Sequence, residues 1–361
     1  MKVSILIGGL SGGGAERVVS NLSNYLSHNH EVTILTMTED NPAYHINEKV
    51  SLKYLIKKND KSNFIKKNLI RYRNLRRYIL TEHSDVFIVF LPVTTNLLLS
   101  LRRLIKVPII VSERGDPIYR YRTSITQRFF MKNLYKKADN FVFQTDDSMA
   151  FYKNEIGVVG EVIPNAINEE FIGKNRKNTF KKRIISVGRL NQQKNFELLI
   201  KSFSKVQPYF ADYTLEILGD GPLREELTNL VKELNLDNVV SFPGYVNNID
   251  ERLSDSALFV LPSNYEGMPN ALMEAMAIGL PCISTDCPIG GPRFLIEDGY
   301  NGFLVPVNDE VELSNKIEKV LSDTNLQNKL GDNSQKITNK LNPDTIYANW
   351  EKLILKTINN Y

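Results

Sequence analysis

Two neighbouring segments set the architecture: Ala257-Leu-Phe-Val-Leu-Pro-Ser263 and Glu266-Gly-Met-Pro-Asn-Ala-Leu-Met-Glu274. The first is an apolar run of strand length that ends in turn residues, so it predicts a short buried strand. The second leads into a helical pattern that runs from Asn270 to Gly279, a usual helix stop. A strand, a loop and a helix in succession form the repeating unit of an α/β fold with a parallel sheet.

The second segment carries two carboxylates, Glu266 and Glu274, on either side of the predicted helix start. Pro269 and Asn270 stand at that start, where unpaired backbone N–H groups suit a phosphate or a sugar hydroxyl. Glu266 on the loop can accept from hydroxyls, and Glu274, about one turn inside the helix, suits a diol such as that of ribose. The pattern favours a nucleotide-sugar site, and the alternative is an amphipathic core helix with an exposed Glu at each end.

A pair of cations marks a second strand-to-helix turn upstream. The segment Arg183-Ile-Ile-Ser-Val-Gly188 predicts a strand, and Arg189 and Lys194 follow it before a helical pattern over 197–203. Ligands of open α/β sheets bind outside the carboxyl ends of the strands, where this turn falls. Arg189 and Lys194 can therefore neutralise a diphosphate there. The alternative is two solvated surface cations.

The whole chain alternates strand and helix patterns, which predicts two doubly wound domains for 361 residues. We predict domains at 1–172 and 183–342, with the polar run 173–182 as linker and 343–361 as a terminal helix. Strands are expected at 2–7, 31–37, 86–90, 107–113, 140–145, 183–188, 214–219, 239–243, 257–262, 281–285 and 302–305. Helices of the first half are expected at 15–27, 65–80, 124–137 and 147–156.

Five short motifs resemble the retaining GT-B glycosyltransferases of family four. They are Val162-Ile-Pro-Asn165, Gly188-Arg189-Leu190, Lys194-Asn195, Gly219-Asp220-Gly221-Pro222-Leu223 and Glu266-x7-Glu274, in the family's order. The resemblance implies an α/β fold of GT-B type, in which two Rossmann-like doubly wound domains face each other across a cleft that holds the donor. It also implies that the terminal helix packs back on the first domain.

Residue roles follow from the resemblance by position. Arg189 and Lys194 would hold the donor diphosphate, Glu274 the ribose and Glu266 the donor sugar. The loop around Tyr245 and Val246 would line the nucleobase. The other donor-binding positions expected at the helix start are Gly267, Met268, Pro269 and Asn270.

The first turn of the chain, Gly8-Gly-Leu-Ser-Gly-Gly-Gly-Ala-Glu16, is rich in glycine, which lets the backbone approach a bulky anion. The run does not match the G-x-G-x-x-G dinucleotide fingerprint in its usual register. We expect Gly13 and Gly14 to close over the diphosphate or the acceptor from the opposite wall. The alternative is a tight turn with no ligand.

One position departs from the family. Many members carry a His after the strand that corresponds to 109–113, where it reaches the donor sugar, but Arg114 stands there in this chain. Arg114 is expected to contact the donor sugar or an acceptor phosphate, although it cannot act as a base. The alternative is that Glu113 and Arg114 pair with each other or with neighbours and only shape the loop.

Positive charge is concentrated in the first half. Residues 1–174 hold 25 Lys and Arg against 17 Asp and Glu, and ten of the cations lie in Lys53–Arg77 with one acid, Asp60. The apolar residues of this segment recur at helical spacing, and they are Ile65, Leu69, Tyr72, Leu75 and Ile79. The pattern predicts contact with an anionic membrane surface, and the alternative is a helix with a core face and a solvated basic face. Nucleic-acid binding is not expected, because the second half is acidic and carries no nucleic-acid motif.

The leading hypothesis is a bacterial, retaining, metal-independent enzyme that moves a sugar from UDP-GalNAc, UDP-GlcNAc, UDP-Gal or UDP-Glc to a polyprenyl-diphosphate-linked glycan of a capsule or exopolysaccharide. The Ser-Glu-Arg run at 112–114 is similar to that of bacterial N-acetylgalactosamine or galactose transferases. No D-x-D pattern occurs, so neither a metal nor another cofactor is expected. The alternatives are a nucleotide-sugar epimerase, a nicotinamide oxidoreductase and a non-catalytic partner in glycan assembly.

The location expected is cytoplasmic and peripheral on the inner face of the plasma membrane. The chain begins directly in a strand pattern, 2–7, and that apolar run is too short for a signal peptide or a membrane span. Only two cysteines occur, Cys282 and Cys287, which predicts no disulfide framework and fits a reducing compartment.

Overall fold

The computed structural model describes all 361 residues of the chain. They form two compact units: one combines Met1–Ala166 with Asp344–Tyr361, and the other is Ile167–Pro343. Each unit is built on one sheet in which all strand pairs are parallel. No helix combines the length and the hydropathy that crossing a membrane requires.

The first unit has a seven-stranded sheet in the order β3-β2-β1-β4-β5-β6-β7. Its strands are β1 Lys2–Ile7, β2 Glu31–Thr36, β3 Ser51–Tyr54, β4 Val86–Phe90, β5 Ile109–Ser112, β6 Asn140–Phe143 and β7 Glu161–Val162. Its helices are α1 Gly14–Leu26, α2 Phe64–Thr81, α3 Pro92–Ser100, α4 Pro117–Thr123, α5 Ile125–Leu134 and α6 Asp146–Glu155. The central strands β4 and β5 are buried along their whole length, as expected for a sheet covered on both faces.

The second unit has a six-stranded sheet in the order β10-β9-β8-β11-β12-β13. Its strands are β8 Arg183–Val187, β9 Thr214–Leu218, β10 Val240–Gly244, β11 Leu258–Leu261, β12 Cys282–Thr285 and β13 Phe303–Val305. Its helices are α7 Phe196–Val206, α8 Arg224–Glu233, α9 Ile249–Ser254, α10 Asn270–Ala277, α11 Gly291–Leu295, α12 Glu310–Ser322, α13 Thr324–Gln335 and α14 Ile337–Lys340. The last helix of the chain is α15, Pro343–Asn359.

The alternation of strands and helices predicted from sequence is confirmed, and the expected helix over 124–137 is divided. Residues 125–134 form α5, and a 3-10 turn, Tyr135–Lys137, follows it. The sequence patterns missed β3 and α3. Strand β3 lies at the sheet edge with Leu52 and Tyr54 exposed, so it lacks an apolar run. Helix α3 follows Leu91, whose backbone is in the left-handed region at φ 73°, and opens with Pro and Thr residues that resemble a loop.

The run 173–182 is not a free linker, which corrects the expected boundaries. The first unit ends at Ala166, six residues before the expected end at residue 172. Arg176 N–H donates to the Ile278 carbonyl at 2.7 Å, and Lys177 N–H donates to that of Ser254 at 2.9 Å. The polar composition suggested solvent exposure, but the backbone groups of this segment find partners in the second unit.

The terminal helix α15 carries the only tryptophan of the chain. From residue 344 onward this helix belongs to the first unit. Trp350 is 1% exposed, and its ring stacks on that of Phe90 with centroids 5.9 Å apart. His30, beyond α1, pairs with Glu351 at 2.7 Å. The end of the chain therefore completes the core of the unit in which the chain begins.

Candidate functional site

The candidate residues of the second unit lie near the point at which the order of strands in its sheet reverses. Strand β8 is the first strand of this unit, and its neighbours β9 and β11 lie on opposite sides. At such a point, the loops that follow two adjacent strands run to opposite sides of the sheet. A crevice that can hold a ligand therefore opens between these loops at the carboxyl ends of the strands. The loop after β8 carries Arg189 and Lys194, and the loop after β11 carries Glu266.

Glycines let two loops pack backbone to backbone beside this point. Gly219 has φ 127°, and a Cβ there would overlap the carbonyl of Gly188. Leu190 N–H donates to the Asp220 carbonyl at 3.0 Å, which joins the two turns. A side chain at 219 would separate these turns, so the Gly-Asp-Gly motif sets the position of the loop that carries Arg189.

Lys194 and Glu266 meet directly, although 72 residues separate them. Lys194 Nζ lies 2.5 Å from Glu266 Oε1, and the two side chains are 16% and 7% exposed. Ser263 Oγ donates to the same oxygen at 2.7 Å. The resemblance assigns the cation to a diphosphate and the carboxylate to a sugar, whereas here the two side chains neutralise each other.

Asn264 joins the two loops that carry this pair. Its backbone N–H donates to the Gln193 carbonyl at 2.8 Å, and its side-chain Nδ2 donates to that of Gln192 at 2.7 Å. Its Oδ1 accepts from Asn195 Nδ2 at 3.0 Å. Asn195 has φ 47° and precedes α7, which makes the turn sharp. Ser263, Asn264 and Gln193 were not singled out from sequence, because isolated polar residues in loops give no periodic signal.

Helix α10 supplies the second carboxylate and the helix start. It begins at Asn270, as expected, and Glu274 lies one turn inside it with 6% exposure. Met268 and Pro269 are buried beside the start. A Cβ on Gly291, the first residue of α11, would overlap the carbonyl of Gly267, so the start of α11 rests on this segment. That glycine contact was also missed from sequence.

The remaining expected donor residues are open to solvent. Tyr245 follows β10 and is 81% exposed, and Val246 is half-buried. Arg189 is exposed, and its side chain forms no hydrogen bond or ion pair within the chain. Strand β10 lies two strands from β8, which separates their loops by about 10 Å at the usual strand spacing. This span suits the length between a nucleobase and its phosphates.

In the first unit, the glycine turn leads into α1 as expected. Gly13 is the residue before the helix, and Gly14 is its exposed first residue. The Glu16 carboxylate packs against Gly13, where a Cβ would overlap it. Glu16 thus places negative charge at the start of this helix, where an anion would otherwise be favoured.

Arg114 is buried inside the first unit. It is 7% exposed, and its guanidinium lies 5.4 Å from the Phe90 ring and 5.6 Å from the Trp350 ring. Its Nε donates to Ser112 Oγ at 2.9 Å, and one NH group donates to Asn165 Oδ1 at 2.6 Å. Burial lowers the pKa of Arg114 to about 9. These partners tie β5, the segment at Asn165 and the terminal helix together.

Glu113 and Arg114 do not pair with each other, and each pairs with neighbours instead, which is the second form of the alternative stated from sequence. Glu113 is buried and accepts from Arg120 in α4 at 2.8 Å. Burial and the Glu113 carboxylate raise the pKa of Tyr135 and that of Tyr152. Burial acts to lower the pKa of Arg120, but the Glu113 carboxylate together with Tyr152 and Tyr135 outweighs burial, and the net shift of that pKa is upward. This cluster holds the loop that carries Arg114.

Comparison with known proteins places the chain among the glycosyltransferases. The family model described as Glycosyltransferase Family 4 matches residues 12–171, and the one described as Glycosyl transferases group 1 matches 167–337. Together these two models cover the parts of both units that carry the candidate residues.

Two relatives come from Campylobacter jejuni. One is the N-acetylgalactosamine-N,N'-diacetylbacillosaminyl-diphospho-undecaprenol 4-alpha-N-acetylgalactosaminyltransferase, 30% identical over 90% of this chain and 92% of its own. The other is the GalNAc-alpha-(1->4)-GalNAc-alpha-(1->3)-diNAcBac-PP-undecaprenol alpha-1,4-N-acetyl-D-galactosaminyltransferase, 28% identical over 99% of both chains.

Among solved structures, the Anabaena protein Alr3699/HepE in complex with UDP superposes with a TM-score of 0.82. It is 18% identical and the match covers 99% of this chain and 100% of that one. At this identity the match speaks for the fold, which is two parallel-sheet Rossmann-like domains of the GT-B type. Taken with the matching family models and the relative that is 30% identical along most of its length, this fold means that the chain belongs to glycosyltransferase family 4.

Proposed function

We propose that this glycosyltransferase moves a sugar from a UDP-sugar to a polyprenyl-diphosphate-linked glycan, in the synthesis of a cell-surface polysaccharide such as a capsule or exopolysaccharide. The observation that carries the proposal lies at the carboxyl ends of β8 and β11. The loop after β8 carries an exposed cation, Arg189, and also Lys194, which pairs with Glu266 on the loop after β11. An unpaired cation and a carboxylate on these two loops suit a ligand with an anionic tail and a hydroxyl-rich head.

The donor would lie along the second unit. Arg189 and Lys194 take the diphosphate and stabilise it as it leaves, and the start of α10 adds partial positive charge. Glu274 accepts from the ribose hydroxyls, Glu266 accepts from the sugar, and the exposed Tyr245 stacks on the base. The UDP complex of the solved relative supports uridine as the nucleotide.

The reaction would proceed with retention. The bond from the sugar's anomeric carbon to the diphosphate oxygen breaks, and the acceptor hydroxyl forms its bond on the same face. The acceptor's proton passes to the leaving phosphate oxygen. The protein then mainly positions the reactants and stabilises charge, and Arg189 and Lys194 supply positive charge without a divalent metal.

The acceptor class is proposed from the relatives and from the surface of α2. Both Campylobacter enzymes carry undecaprenol in their names. Helix α2 does not direct its whole apolar stripe to the core: Leu75 is buried, but Ile65 is 79% exposed and Leu69 is 57% exposed. Phe64 is 77% exposed at the same end. A basic helix with an exposed apolar end favours an anionic membrane surface, where a lipid-linked acceptor resides.

The experiment that tests the function is a panel of four UDP-sugars, UDP-GalNAc, UDP-GlcNAc, UDP-Gal and UDP-Glc, incubated with native lipid extract and read by mass spectrometry. We expect one sugar to be added to a lipid-linked glycan, with UDP release that depends on the extract. Interconversion of the UDP-sugars without an acceptor would instead identify an epimerase. The anomeric coupling of the product by NMR decides between retention and inversion.

Binding experiments separate the site from the other function classes. UDP should raise the melting temperature and NAD should not, because stabilisation follows binding to the folded state. Glu274→Ala should weaken UDP binding, and Lys194→Ala should mainly lower turnover. Stabilisation by NAD alone would point to an oxidoreductase, and unchanged binding and turnover in both variants would reject the assigned site.

A further inference from the structure

Ser263 is a buried serine with both of its polar groups held in place. It follows β11 and is 0% exposed. Its carbonyl accepts from Thr285 Oγ1 at 2.5 Å, and its Oγ donates to Glu266 Oε1 at 2.7 Å. Ser263 is therefore anchored to the sheet through its backbone carbonyl, and its hydroxyl is anchored to the candidate site residue Glu266.

The two oxygens of Glu266 have different surroundings. Oε1 accepts from both Ser263 Oγ and Lys194 Nζ, which occupies its two lone pairs. Oε2 has one distant donor, Gln193 Nε2 at 3.5 Å. The carboxylate is thus fixed through Oε1, and Oε2 retains capacity to accept from a hydroxyl of a ligand.

We propose that Ser263 is a positioning residue that holds the Glu266 carboxylate in the orientation used for sugar transfer, with Oε2 facing the donor sugar. The inference rests on the function proposed above. The hydrogen bond from Ser263 matters because a bound diphosphate competes with Glu266 for Lys194, since both are anionic partners of one ammonium group. Once Lys194 turns to the diphosphate, Ser263 is the close donor that remains on Oε1.

The role of Ser263 should therefore appear in turnover and not in nucleotide binding. In Ser263→Ala, Glu266 would lose its fixed orientation in the donor complex. We expect kcat to fall about tenfold, the change typical for one hydrogen bond to a charged group, while the Kd for UDP stays within about twofold.

Ser186→Ala is the matched control. Ser186 is a fully buried serine of the neighbouring strand β8, and its hydroxyl donates only to the Val260 carbonyl at 2.6 Å. This control variant should lower the melting temperature to a similar extent as Ser263→Ala and leave kcat unchanged. Ser263→Thr, which keeps a hydroxyl, should restore most of the turnover. If Ser263→Ala does not fold, Ser263→Cys, a weaker donor of similar size, makes the same comparison.

Glu266→Gln, assayed with the active UDP-sugar of the panel and the lipid extract, distinguishes failure of the positioning role of Ser263 from failure of the proposed function. If Glu266→Gln slows turnover and Ser263→Ala leaves kcat unchanged, the positioning role is wrong and the proposed function stands. Loss of kcat in Ser186→Ala as large as in Ser263→Ala would also reject it. Full turnover in Glu266→Gln would overturn the assigned role of Glu266 and the inference with it.

Discussion

Arg114 is a charged side chain held away from water by two aromatic rings. Its position after β5 is where the family often has a sugar-contacting His, but its hydrogen bonds go to Ser112 and Asn165. Phe90 and Trp350 flank the guanidinium, which gives it two cation–π contacts. These contacts favour a structural role for Arg114, which joins β5, the segment at Asn165 and the terminal helix of the first unit.

Replacing Arg114 should therefore destabilise the first unit. We expect Arg114→Ala to lower the free energy of unfolding by about 2–3 kcal/mol, from lost charged hydrogen bonds and aromatic contacts. Urea titration measures this. Arg103→Ala, at an exposed position of the same unit, should change stability by less than about 0.5 kcal/mol. If Arg114→Ala instead has normal stability and a raised KM for the donor, the result would favour contact between Arg114 and the donor sugar.

The two cysteines should be unreactive in the folded protein. Burial raises the pKa of Cys287 to about 12, and burial also raises the pKa of Cys282 well above its ordinary value. Since the thiolate is the nucleophile, a raised pKa removes the reactive form at about pH 8. Iodoacetamide should label neither thiol in the native protein and both after denaturation, as read by mass spectrometry. Rapid native labelling would show that the second unit opens locally.

Among the elements, helix α2 exposes part of its apolar stripe, with Phe64 and Ile65 at its first turn largely open to solvent. We expect the double variant Phe64→Ser/Ile65→Ser to reduce binding to vesicles that contain phosphatidylglycerol at least tenfold, because burying each side chain contributes about 1.5–3 kcal/mol. Sedimentation with vesicles measures it. Tyr209→Ser removes an equally exposed aromatic residue, 81% exposed, from the second unit and should leave binding unchanged. Equal loss in both variants would contradict a role for α2.

The start of α11 gives a second prediction at this scale. Gly291→Ala would drive a methyl group into the Gly267 carbonyl and push the start of α11 away from the start of α10. We expect weaker UDP binding, measured by calorimetry, together with a lower melting temperature. Gly8→Ala, where the nearest atom to a Cβ is 3.9 Å away, should have little effect on the melting temperature. Unchanged UDP affinity in Gly291→Ala would show that the start of α11 does not position the donor site.

On the scale of the whole molecule, the single tryptophan reports on one unit. Trp350 belongs to the first unit, so its fluorescence should follow the unfolding of that unit. Leu98 and Leu215 are fully buried in the cores of the first and second units. Leu98→Ala and Leu215→Ala would each leave a cavity there and lower the free energy of unfolding by about 2–5 kcal/mol. In urea, Leu98→Ala should shift the fluorescence transition and Leu215→Ala should shift only the far-UV circular dichroism. Equal fluorescence shifts would mean that the whole chain unfolds as one unit.

Much of the site could be predicted because strands, turns and helices are local patterns. The apolar run before Ser263, the glycines around Arg189 and the helix stop at Gly279 each depend on a few neighbouring residues. The roles of Ser263 and Asn264 could not be predicted. Ser263 bonds to Glu266 on its own loop and to Thr285 in β12, and Asn264 bonds to Gln192 on another loop. Nothing in a single sequence shows that residues as much as 72 positions apart share a hydrogen bond.

By itself, the amino-acid sequence determined the alternation of strands and helices, the two-sheet architecture and the carboxylate spacing at the start of α10, because periodicity and turn chemistry act over a few residues. Only the tertiary structure decided that Lys194 meets Glu266, that Arg114 lies between Phe90 and Trp350, and that the segment 173–182 packs on the second unit. Those outcomes depend on which backbone and side-chain groups find partners once distant strands are aligned, and buried polar groups accept only arrangements in which such partners exist.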